Sequence, residues 1–361
     1  MRIAQVAPLY ESVPPHNYGG TERVVSYLTE ELVRLGHEVT LFASGDSATS
    51  ARLVAGSKRS LRTDKSSVDK MAPHLVMLEE VLRRVREFDL VHFHVDYLHF
   101  PFSRRLACPH LTTLHGRLDI PELLPVYQEY GDMPVVSISH SQRQPQPHAK
   151  WVGTVYHGLP EALHTFRAQP RGDYLAFIGR ISPEKRVDRA IAIAKQVGMK
   201  LKIAAKIDRA DRAYYKREIE PLFDDSQVEF LGEQGGAAKD DFLGNARALL
   251  FPIDWPEPFG LVMIEAMACG TPVIAWPNGS VPEVIDDGVT GIVVDNVDAA
   301  AKAVRRVGLL SRRTCREVFL KRFTDRRMAA DYLRIYHKLA GRRAPSLIAV
   351  NHPPKRFVRV T

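Results

Sequence analysis

The 361-residue sequence has little cysteine and no long apolar run. Its three cysteines, Cys108, Cys269 and Cys315, lie far apart without a C-x-x-C pair, which excludes a disulfide framework or a cysteine zinc site. No stretch approaches the ~18 consecutive apolar residues of a membrane-spanning helix. The first residues lack the charged and apolar segments of a signal peptide. We therefore expect a cytoplasmic protein.

Several common catalytic motifs are also absent. No two aspartates are separated by one residue, so there is no D-x-D to hold a metal on a nucleotide diphosphate. There is no H-E-x-x-H and no G-x-S-x-G. The glycine loop Gly19-Gly20-Thr21-Glu22 matches neither G-x-G-x-x-G nor a P-loop, although its glycines allow a phosphate or sugar to approach the backbone. We expect neither a metal nor a cofactor.

The formal net charge of +8 is unevenly distributed. Residues 1–165 carry 17 basic and 18 acidic side chains, whereas residues 341–361 carry five basic and none acidic. That terminal segment is predicted to be a disordered tail. A nucleic-acid-binding protein would place its basic patch on the folded surface, among aromatic residues. We expect no nucleic-acid partner and at most peripheral contact with a membrane.

Short apolar runs, typical of strands, alternate with segments whose apolar residues have helical spacing, and this pattern occurs twice along the chain. The first copy starts at Arg2–Ala7 and the second at Tyr174–Gly179, with the polar segment Glu161–Gly172 between them as a linker. Strands joined by helices indicate parallel sheets covered on both faces. The sequence therefore predicts an α/β protein of two Rossmann-like, doubly wound domains that face a central cleft. Further predicted strands are 38–43, 90–95, 111–114, 135–139, 154–156, 201–205, 228–231, 248–251 and 273–275.

The predicted boundaries follow from this pattern. We place a first domain at residues 1–165 and a second domain at residues 166–318. Apolar spacing predicts one amphipathic helix over Phe319–Leu339. The basic tail begins at residue 341.

The stretch after the predicted strand 248–251 carries two glutamates. Proline follows both Trp255 and Glu257, so both residues should be extended and Glu257 lies in a stiff loop. The predicted helix Leu261–Ala268 is apolar nearly all round, with Glu265 as its only charge. A buried carboxylate needs a cation, several donors or ligand hydroxyls. The free amides at the helix start suit phosphate or sugar oxygens. The structural alternative pairs Glu265 with an arginine and leaves Glu257 in water.

Other candidate residues follow predicted strands. Arg180 and Lys185 suit a diphosphate, or else form a solvated loop. His115 points toward the cleft, or is a satisfied structural histidine.

The segment His92-Phe93-His94-Val95-Asp96 places three possible metal ligands on one face of a strand. No fourth ligand with matched spacing appears, and a hydrogen-bonded strand end is the alternative.

Together these motifs resemble retaining glycosyltransferases of family 4, which have the two-domain GT-B fold. The E-x7-E signature appears as Glu257 to Glu265, and the resemblance covers about residues 1–340. It implies that the N-terminal domain, 1–165, lies on the acceptor side and that the C-terminal domain, 166–318, binds the nucleotide sugar. It also implies that the C-terminal helix, 319–340, crosses back onto the first domain. Two departures are Tyr156-His157-Gly158, where the family usually has Asn-Gly, and Trp255 before the first glutamate. The amino-terminal stretch is also somewhat similar to bacterial enzymes that glucosylate pterins.

The resemblance further implies roles for individual residues. Glu257 and His115 would be catalytic, beside the donor sugar. Donor binding is implied for Gly19, Gly20, Arg180, Lys185, Phe259, Gly260, Leu261 and Glu265.

The implied reaction moves a hexose from a nucleotide-diphosphate sugar, with UDP favoured, to a hydroxyl of a small-molecule or glycan acceptor. No carboxylate is obviously placed as a covalent nucleophile, so we expect metal-independent, front-face transfer with retention. The alternatives are a nucleotide-sugar 2-epimerase of the same fold and a non-catalytic nucleotide-sugar sensor. The E-x7-E motif argues against the epimerase.

Overall fold

The computed structural model describes residues 1–16, 19–223 and 226–341. Within them the chain forms two parallel sheets, each flanked by helices, which confirms the predicted α/β class. The first sheet has the order β3-β2-β1-β4-β5-β6-β7 and the second the order β10-β9-β8-β11-β12-β13. The first sheet comprises β1 (Arg2–Val6), β2 (Glu38–Ser44), β3 (Arg52–Ser57), β4 (Leu90–Phe93), β5 (His110–Thr113), β6 (Pro134–Ser137) and β7 (Lys150–Thr154). The second comprises β8 (Tyr174–Arg180), β9 (Lys200–Lys206), β10 (Val228–Gly232), β11 (Ala248–Phe251), β12 (Val273–Ala275) and β13 (Gly291–Val293).

Helices lie in most of the connections between parallel strands, although β2 and β3 are joined without one, and the last three helices follow β13. They are α1 (Gly20–Arg34), α2 (Met71–Arg83), α3 (Phe100–Ser103), α4 (Leu123–Glu129), α5 (His140–Arg143), α6 (Val187–Val197), α7 (Arg212–Tyr214), α8 (Gly236–Gly244), α9 (Leu261–Cys269), α10 (Val281–Val284), α11 (Val297–Arg306), α12 (Arg312–Arg322) and α13 (Asp325–Leu339). Turns of 3-10 helix lie at Val85–Glu87, Pro183–Lys185, Arg209–Asp211, Glu220–Phe223 and Val307–Leu309, and a π-helical turn spans Tyr215–Ile219. In the described part of the chain, no helix combines the length and the apolar character needed to cross a bilayer.

The order of strands reverses once in each sheet, between β1 and β4 and between β8 and β11. In the first sheet β1 pairs on one side with β2 and on the other with β4, so that Ile3 lies between Val39 and Leu90. Such switch points leave a crevice at the carboxyl ends of the strands. The predicted site residues lie at the ends of β1, β5, β8 and β11, in the loops that follow these strands, or in the first turns of α1 and α9.

The hydrophobic core is continuous across the two domains. One cluster of buried side chains includes Ile3 and Leu28 of the first domain, Leu249 and Met263 of the second, and Tyr332 of α13. A contiguous core of this kind holds the two sheets in a defined relation, because separating them would expose apolar surface to water.

The predicted single helix over Phe319–Leu339 is wrong, since the chain forms α12 and α13 with a break between them. Thr324 caps α13 by accepting a hydrogen bond from the Arg327 backbone N–H at 3.2 Å. At the break the Leu159 N–H donates to the Phe323 carbonyl at 2.9 Å, and the Asp325 N–H donates to the Leu159 carbonyl at 2.9 Å. The Thr324 cap starts a new helix, so the chain leaves the helical conformation between α12 and α13 even though apolar residues continue at helical spacing.

The strand predicted over 154–156 is also misplaced. Strand β7 covers Lys150–Thr154 and pairs with β6 in a register that places Pro134 opposite Lys150. The strand therefore ends at Thr154, the residue at which the predicted strand begins. From residue 342 onward, the predicted tail lies outside the described residues.

Candidate active site

A cleft of about 920 Å³ lies between the two sheets and is lined by both domains. The structure brings all ten predicted site residues to its walls. These are Gly19, Gly20, His115, Arg180, Lys185, Glu257, Phe259, Gly260, Leu261 and Glu265.

Glu257 lies in the loop between β11 and α9 and is largely buried. Its Oε2 accepts hydrogen bonds from Lys185 Nζ and, at 3.1 Å, from the indole N–H of Trp255. Lys185 Nζ also lies 4.7 Å from the centroid of the Trp255 ring, a cation–π contact. The alternative in which Glu257 faces water is therefore wrong, because the carboxylate and Lys185 neutralise each other inside the cleft.

The backbone around Glu257 is fixed from a neighbouring turn. The Ser280 N–H donates to the Glu257 carbonyl at 3.0 Å, and the Ser280 hydroxyl donates to the Phe259 carbonyl at 2.8 Å. Gly279 has a φ of +60°, and a Cβ there would lie 2.3 Å from the Glu257 backbone. Only glycine permits this close approach.

Helix α9 begins with its free amides at the cleft. Gly260 precedes the helix with φ +75°, a left-handed conformation, and an added Cβ would lie 2.8 Å from Met263 Cε. On the opposite wall Gly20 begins α1, and a Cβ there would lie 3.7 Å from Leu261 Cδ1. The two domains thus come nearly into contact where the positive end of the α9 dipole lies.

Glu265 is buried within α9 and pairs with Lys239 of α8, Nζ to Oε1 at 2.5 Å. Burial by itself raises the pKa of Glu265, but the positive charge and the hydrogen bond of Lys239, with a smaller electrostatic contribution from His164, outweigh burial and lower that pKa below its usual value. The partner is a lysine, which corrects the structural alternative that named an arginine.

Arg180 ends β8 and lies at the cleft wall. Its guanidinium bonds to Glu184 at 2.5 Å and forms ion pairs with Asp211 at 3.3 Å and Asp208 at 3.8 Å. Three carboxylates thus hold the fork in place. Because the pairs are partly exposed, each contributes little to stability and leaves the guanidinium able to exchange partners.

A chain of buried hydrogen bonds leads to His115. His115 Nε2 and His94 Nδ1 are 2.9 Å apart, and His94 Nε2 lies 2.8 Å from Gln5 Oε1. The Gln5 amide nitrogen donates to the Tyr336 hydroxyl of α13 at 3.2 Å. Tyr336 in turn lies 2.7 Å from His92 Nδ1. We call the chain Gln5–His94–His115 the histidine relay.

The relay determines which nitrogens carry protons. Burial keeps both imidazoles neutral: it lowers the pKa of His115 to about 3 and that of His94 well below its usual value. Since the Gln5 oxygen accepts from His94 Nε2, His94 Nδ1 is an acceptor and His115 Nε2 must donate to it. His115 Nδ1 is then a lone-pair acceptor, and it is buried without a hydrogen-bond partner among the described residues.

The metal alternative for His92, His94 and Asp96 fails. Strand β4 ends at Phe93, so the last two residues lie beyond the strand, with Asp96 at φ +49°. These three do not form a ligand cluster, and His92 instead bonds Tyr336 and Thr113. Over the described part of the chain the one cluster with ligand spacing is His164, Asp240 and Cys269.

His157 replaces the asparagine of the family pattern and joins the cleft wall. Its ring stacks on that of His115 at 5.3 Å, and its edge meets Phe259 at 4.9 Å. Arg327 of α13 donates to the carbonyls of Tyr156 and His157 at 2.7 and 2.9 Å. Arg327 thus joins the backbone that follows β7 to α13.

Sequence reasoning missed Lys239, Gln5 and the relay role of His94. Lys239 follows Gly235 and Gly236 after a strand, which is a signal for a helix start at the cleft. Gln5 is a polar residue inside an apolar strand, and a buried polar side chain needs a partner.

Two protein-family models match the chain. The model described as Glycosyltransferase Family 4 matches residues 18–211, more than half of the chain. The model described as Glycosyl transferases group 1 matches residues 164–317.

Curated relatives are glycosyltransferases by name. D-inositol 3-phosphate glycosyltransferase of Mycobacterium sp. (strain KMS) is 36% identical over 149 residues, which cover 40% of this chain and 33% of that protein. The chain thus matches only a third of that relative's length. N-acetyl-alpha-D-glucosaminyl L-malate synthase of Bacillus anthracis is 25% identical over 370 residues, covering 88% of this chain and 94% of that protein.

Solved structures share the whole fold. Sucrose-phosphate synthase from Thermosynechococcus elongatus superposes with a TM-score of 0.78 at 20% identity, covering 94% of this chain and 99% of that one. AviGT4, a glycosyltransferase involved in avilamycin A biosynthesis, gives 0.72 at 24% identity, covering 94% and 98%. At these identities the likeness shows the fold, and it confirms the GT-B prediction. The chain therefore belongs to glycosyltransferase family 4, a family of transferase enzymes with two parallel-sheet domains.

Proposed function

We propose that this chain transfers a hexose, with retention of configuration, from a nucleotide-diphosphate sugar to a hydroxyl of a small-molecule or glycan acceptor. The observation that carries the proposal is the arrangement around α9. The E-x7-E pair Glu257 and Glu265 brackets the free amides of the helix start, and each glutamate is held by a lysine of the cleft.

The donor diphosphate would lie between Arg180, Lys185 and the start of α9. Its negative charge competes with Glu257 for Lys185, so we expect donor binding to exchange that ion pair for a lysine–phosphate contact. Glu265 has a second carboxylate oxygen with which it would accept hydrogen bonds from the ribose hydroxyls. We favour UDP as the nucleotide, and Anabaena HepE, which shares the fold at 16% identity, has been solved in complex with UDP-glucose.

Charge development accounts for the chemistry. As the bond between the anomeric carbon and the phosphate oxygen breaks, negative charge grows on the diphosphate, where Arg180, Lys185 and the α9 amides stabilise it. The anomeric carbon becomes cationic, and Glu257 offsets that charge. The acceptor oxygen bonds to the anomeric carbon on the face that the phosphate leaves, and its proton passes to the departing phosphate oxygen. The two cations supply the stabilisation that a metal would otherwise provide.

His115 would take part through its lone pair. Because the relay leaves Nδ1 as an acceptor, His115 is suited to a hydroxyl of the donor sugar rather than to a phosphate oxygen, which has no proton to donate. We therefore expect His115 to contact a sugar hydroxyl beside the reacting carbon.

The proposal is tested by calorimetric titration of UDP, GDP and ADP in EDTA. We compare wild type with Glu265→Gln and with the control Glu79→Gln on the exposed surface of α2. Tight, metal-free binding of one nucleotide that Glu265→Gln weakens about tenfold or more, and the control does not, supports the donor site. Binding of none of the three would refute it.

A turnover assay then separates the alternatives. Incubation of the matching nucleotide sugar without an acceptor would reveal a 2-epimerase by formation of an epimer. A sensor would bind the donor and release no nucleotide, even slowly against water. A transferase releases nucleotide faster once a hydroxyl acceptor is added, and Glu257→Ala should suppress that release.

A further inference from the structure

A second cavity of about 510 Å³ shares no lining residue with the donor cleft. It lies at the junction of the domains, between the end of β7 and the helices α12 and α13. Its walls include Gly153 and Thr154 of β7 and, from the two helices, Lys321, Arg322, Arg327, Arg334, Ile335 and Lys338.

The lining is strongly cationic. Five lysine and arginine side chains face one carboxylate, that of Asp331. Asp331 is already shared, since it bonds to Arg327 at 2.5 Å and to Arg334. Asp331 is thus shared by two arginines, and Arg322 is paired with Asp286 at 2.7 Å, so in the described part of the chain Lys321 and Lys338 are the cations of the lining that remain unbalanced.

The two lysines have no ion-pair partner among the described residues. Lys321 lies at the end of α12 and Lys338 near the end of α13, so they come from the two sides of the helix break. Arg327 adds a donor, because its Nε is buried without a hydrogen-bond partner. An unpaired donor at a cationic, concave surface is the arrangement that an oxyanion satisfies.

We propose that this cavity binds a phosphate group, either free phosphate or a phosphate monoester. Lys321 and Lys338 would hold it from opposite sides, and Arg334 would add a guanidinium fork. The volume is in the range of small-molecule sites, which favours a compact anion over a polymer. Because Lys321 belongs to the helix before the break and Lys338 to the helix after it, the bound anion would link the two helices.

The test is calorimetric titration of the full chain with inorganic phosphate and with glycerol 3-phosphate. All proteins carry Lys185→Gln, which weakens phosphate binding in the donor cleft equally. The variant adds Lys321→Gln and Lys338→Gln, and the charge-matched control adds Lys302→Gln and Arg305→Gln on the exposed face of α11.

We expect the Lys321→Gln/Lys338→Gln variant to bind phosphate at least about tenfold more weakly than the control. Tighter binding of glycerol 3-phosphate than of phosphate would identify a monoester as the ligand. Equal affinity in variant and control would overturn the proposal. Binding to phosphatidylglycerol vesicles without binding of either soluble anion would also overturn it, because it would indicate a diffuse basic surface. Circular dichroism confirms that each variant is folded.

Discussion

Replacing Lys239 by methionine tests the buried ion pair beneath the proposed donor site. Lys239 Nζ lies 2.5 Å from Glu265 Oε1, and the Glu265 side chain is only 4% exposed. Lys239→Met keeps most of the side-chain length and removes the charge, so Glu265 remains in an apolar helix without its cation. Removing one partner of a buried pair costs about 3–5 kcal/mol, and the 20% exposure of Lys239 places the expected loss near the lower limit.

The pH dependence of the free energy of unfolding provides a second test, because its direction differs between wild type and Lys239→Met. In the wild type the pKa of Glu265 lies below its unfolded value, so the pair stabilises the fold above that unfolded pKa and the stabilisation is lost as the pH falls through the folded pKa. In Lys239→Met, burial dominates and raises the pKa of Glu265. The free energy of unfolding should then fall as the pH rises above the unfolded pKa, by about 1.4 kcal/mol per pH unit, until the folded pKa is reached.

Urea unfolding of wild type and variant at pH 5 and pH 7 measures both effects. The double variant Lys239→Met/Glu265→Gln removes both charges, and we expect it to recover most of the loss at pH 7. Lys302→Met, on the exposed face of α11, is the control, and its free energy of unfolding should stay within about 0.5 kcal/mol of the wild-type value. A Lys239→Met loss below about 1 kcal/mol at pH 7, or one that does not grow from pH 5 to pH 7, would refute the buried pair.

Three further predictions concern the cleft. Gly260→Ala should lower the free energy of unfolding by more than Gly198→Ala, in urea melts, because both residues have positive φ but only Gly260 has no room for a Cβ; equal losses would contradict this. Gln5→Leu removes the acceptor that fixes the proton on His94 Nε2, so it should lower kcat/KM of transfer about tenfold, and unchanged kinetics would contradict the relay. Because burial lowers the pKa of His115 to about 3, a pH–rate profile should show no His115 step from pH 5 to 8, and a step abolished by His115→Asn would be the contrary result.

The local sequence was sufficient to predict the strands and the helix around the E-x7-E segment. Strand β11 and strand β12 lie where the apolar runs predict them, because turn residues and Gly270 bound each element sharply. The ten site residues converge for a simple reason. Nine of them lie at the end of a parallel strand, in the loop that follows it or at the first residue of the next helix, and in a parallel sheet those positions share one edge. Glu265 lies one turn further along α9.

The relay could not be read from the sequence, because it depends on register and on long-range packing. Gln5 reaches His94 only because β1 and β4 pair with Gln5 opposite His92. Its other partner, Tyr336, is 331 residues away and arrives through the crossing of α13. The pairing of Lys239 with Glu265 likewise joins two helices. The apolar residues of α8 do not repeat at helical spacing, so the sequence did not predict which side of α8 faces α9.

The two ion pairs of the donor site differ in a way that orders events during the proposed reaction. The Glu265 side chain is only 4% exposed, so separating it from Lys239 would leave a carboxylate charge in an apolar surrounding, and this pair should persist when the donor binds. Lys185 and Lys239 are equally exposed, at 20%, but the Glu257 side chain is 12% exposed and Lys185 has Trp255 as a second contact, so Lys185 can turn from Glu257 to a phosphate at lower cost. Glu257 then loses its cation only when the diphosphate has arrived, which is the moment when a free carboxylate can offset positive charge at the anomeric carbon. Donor binding would in this way prepare the charge that the transition state requires.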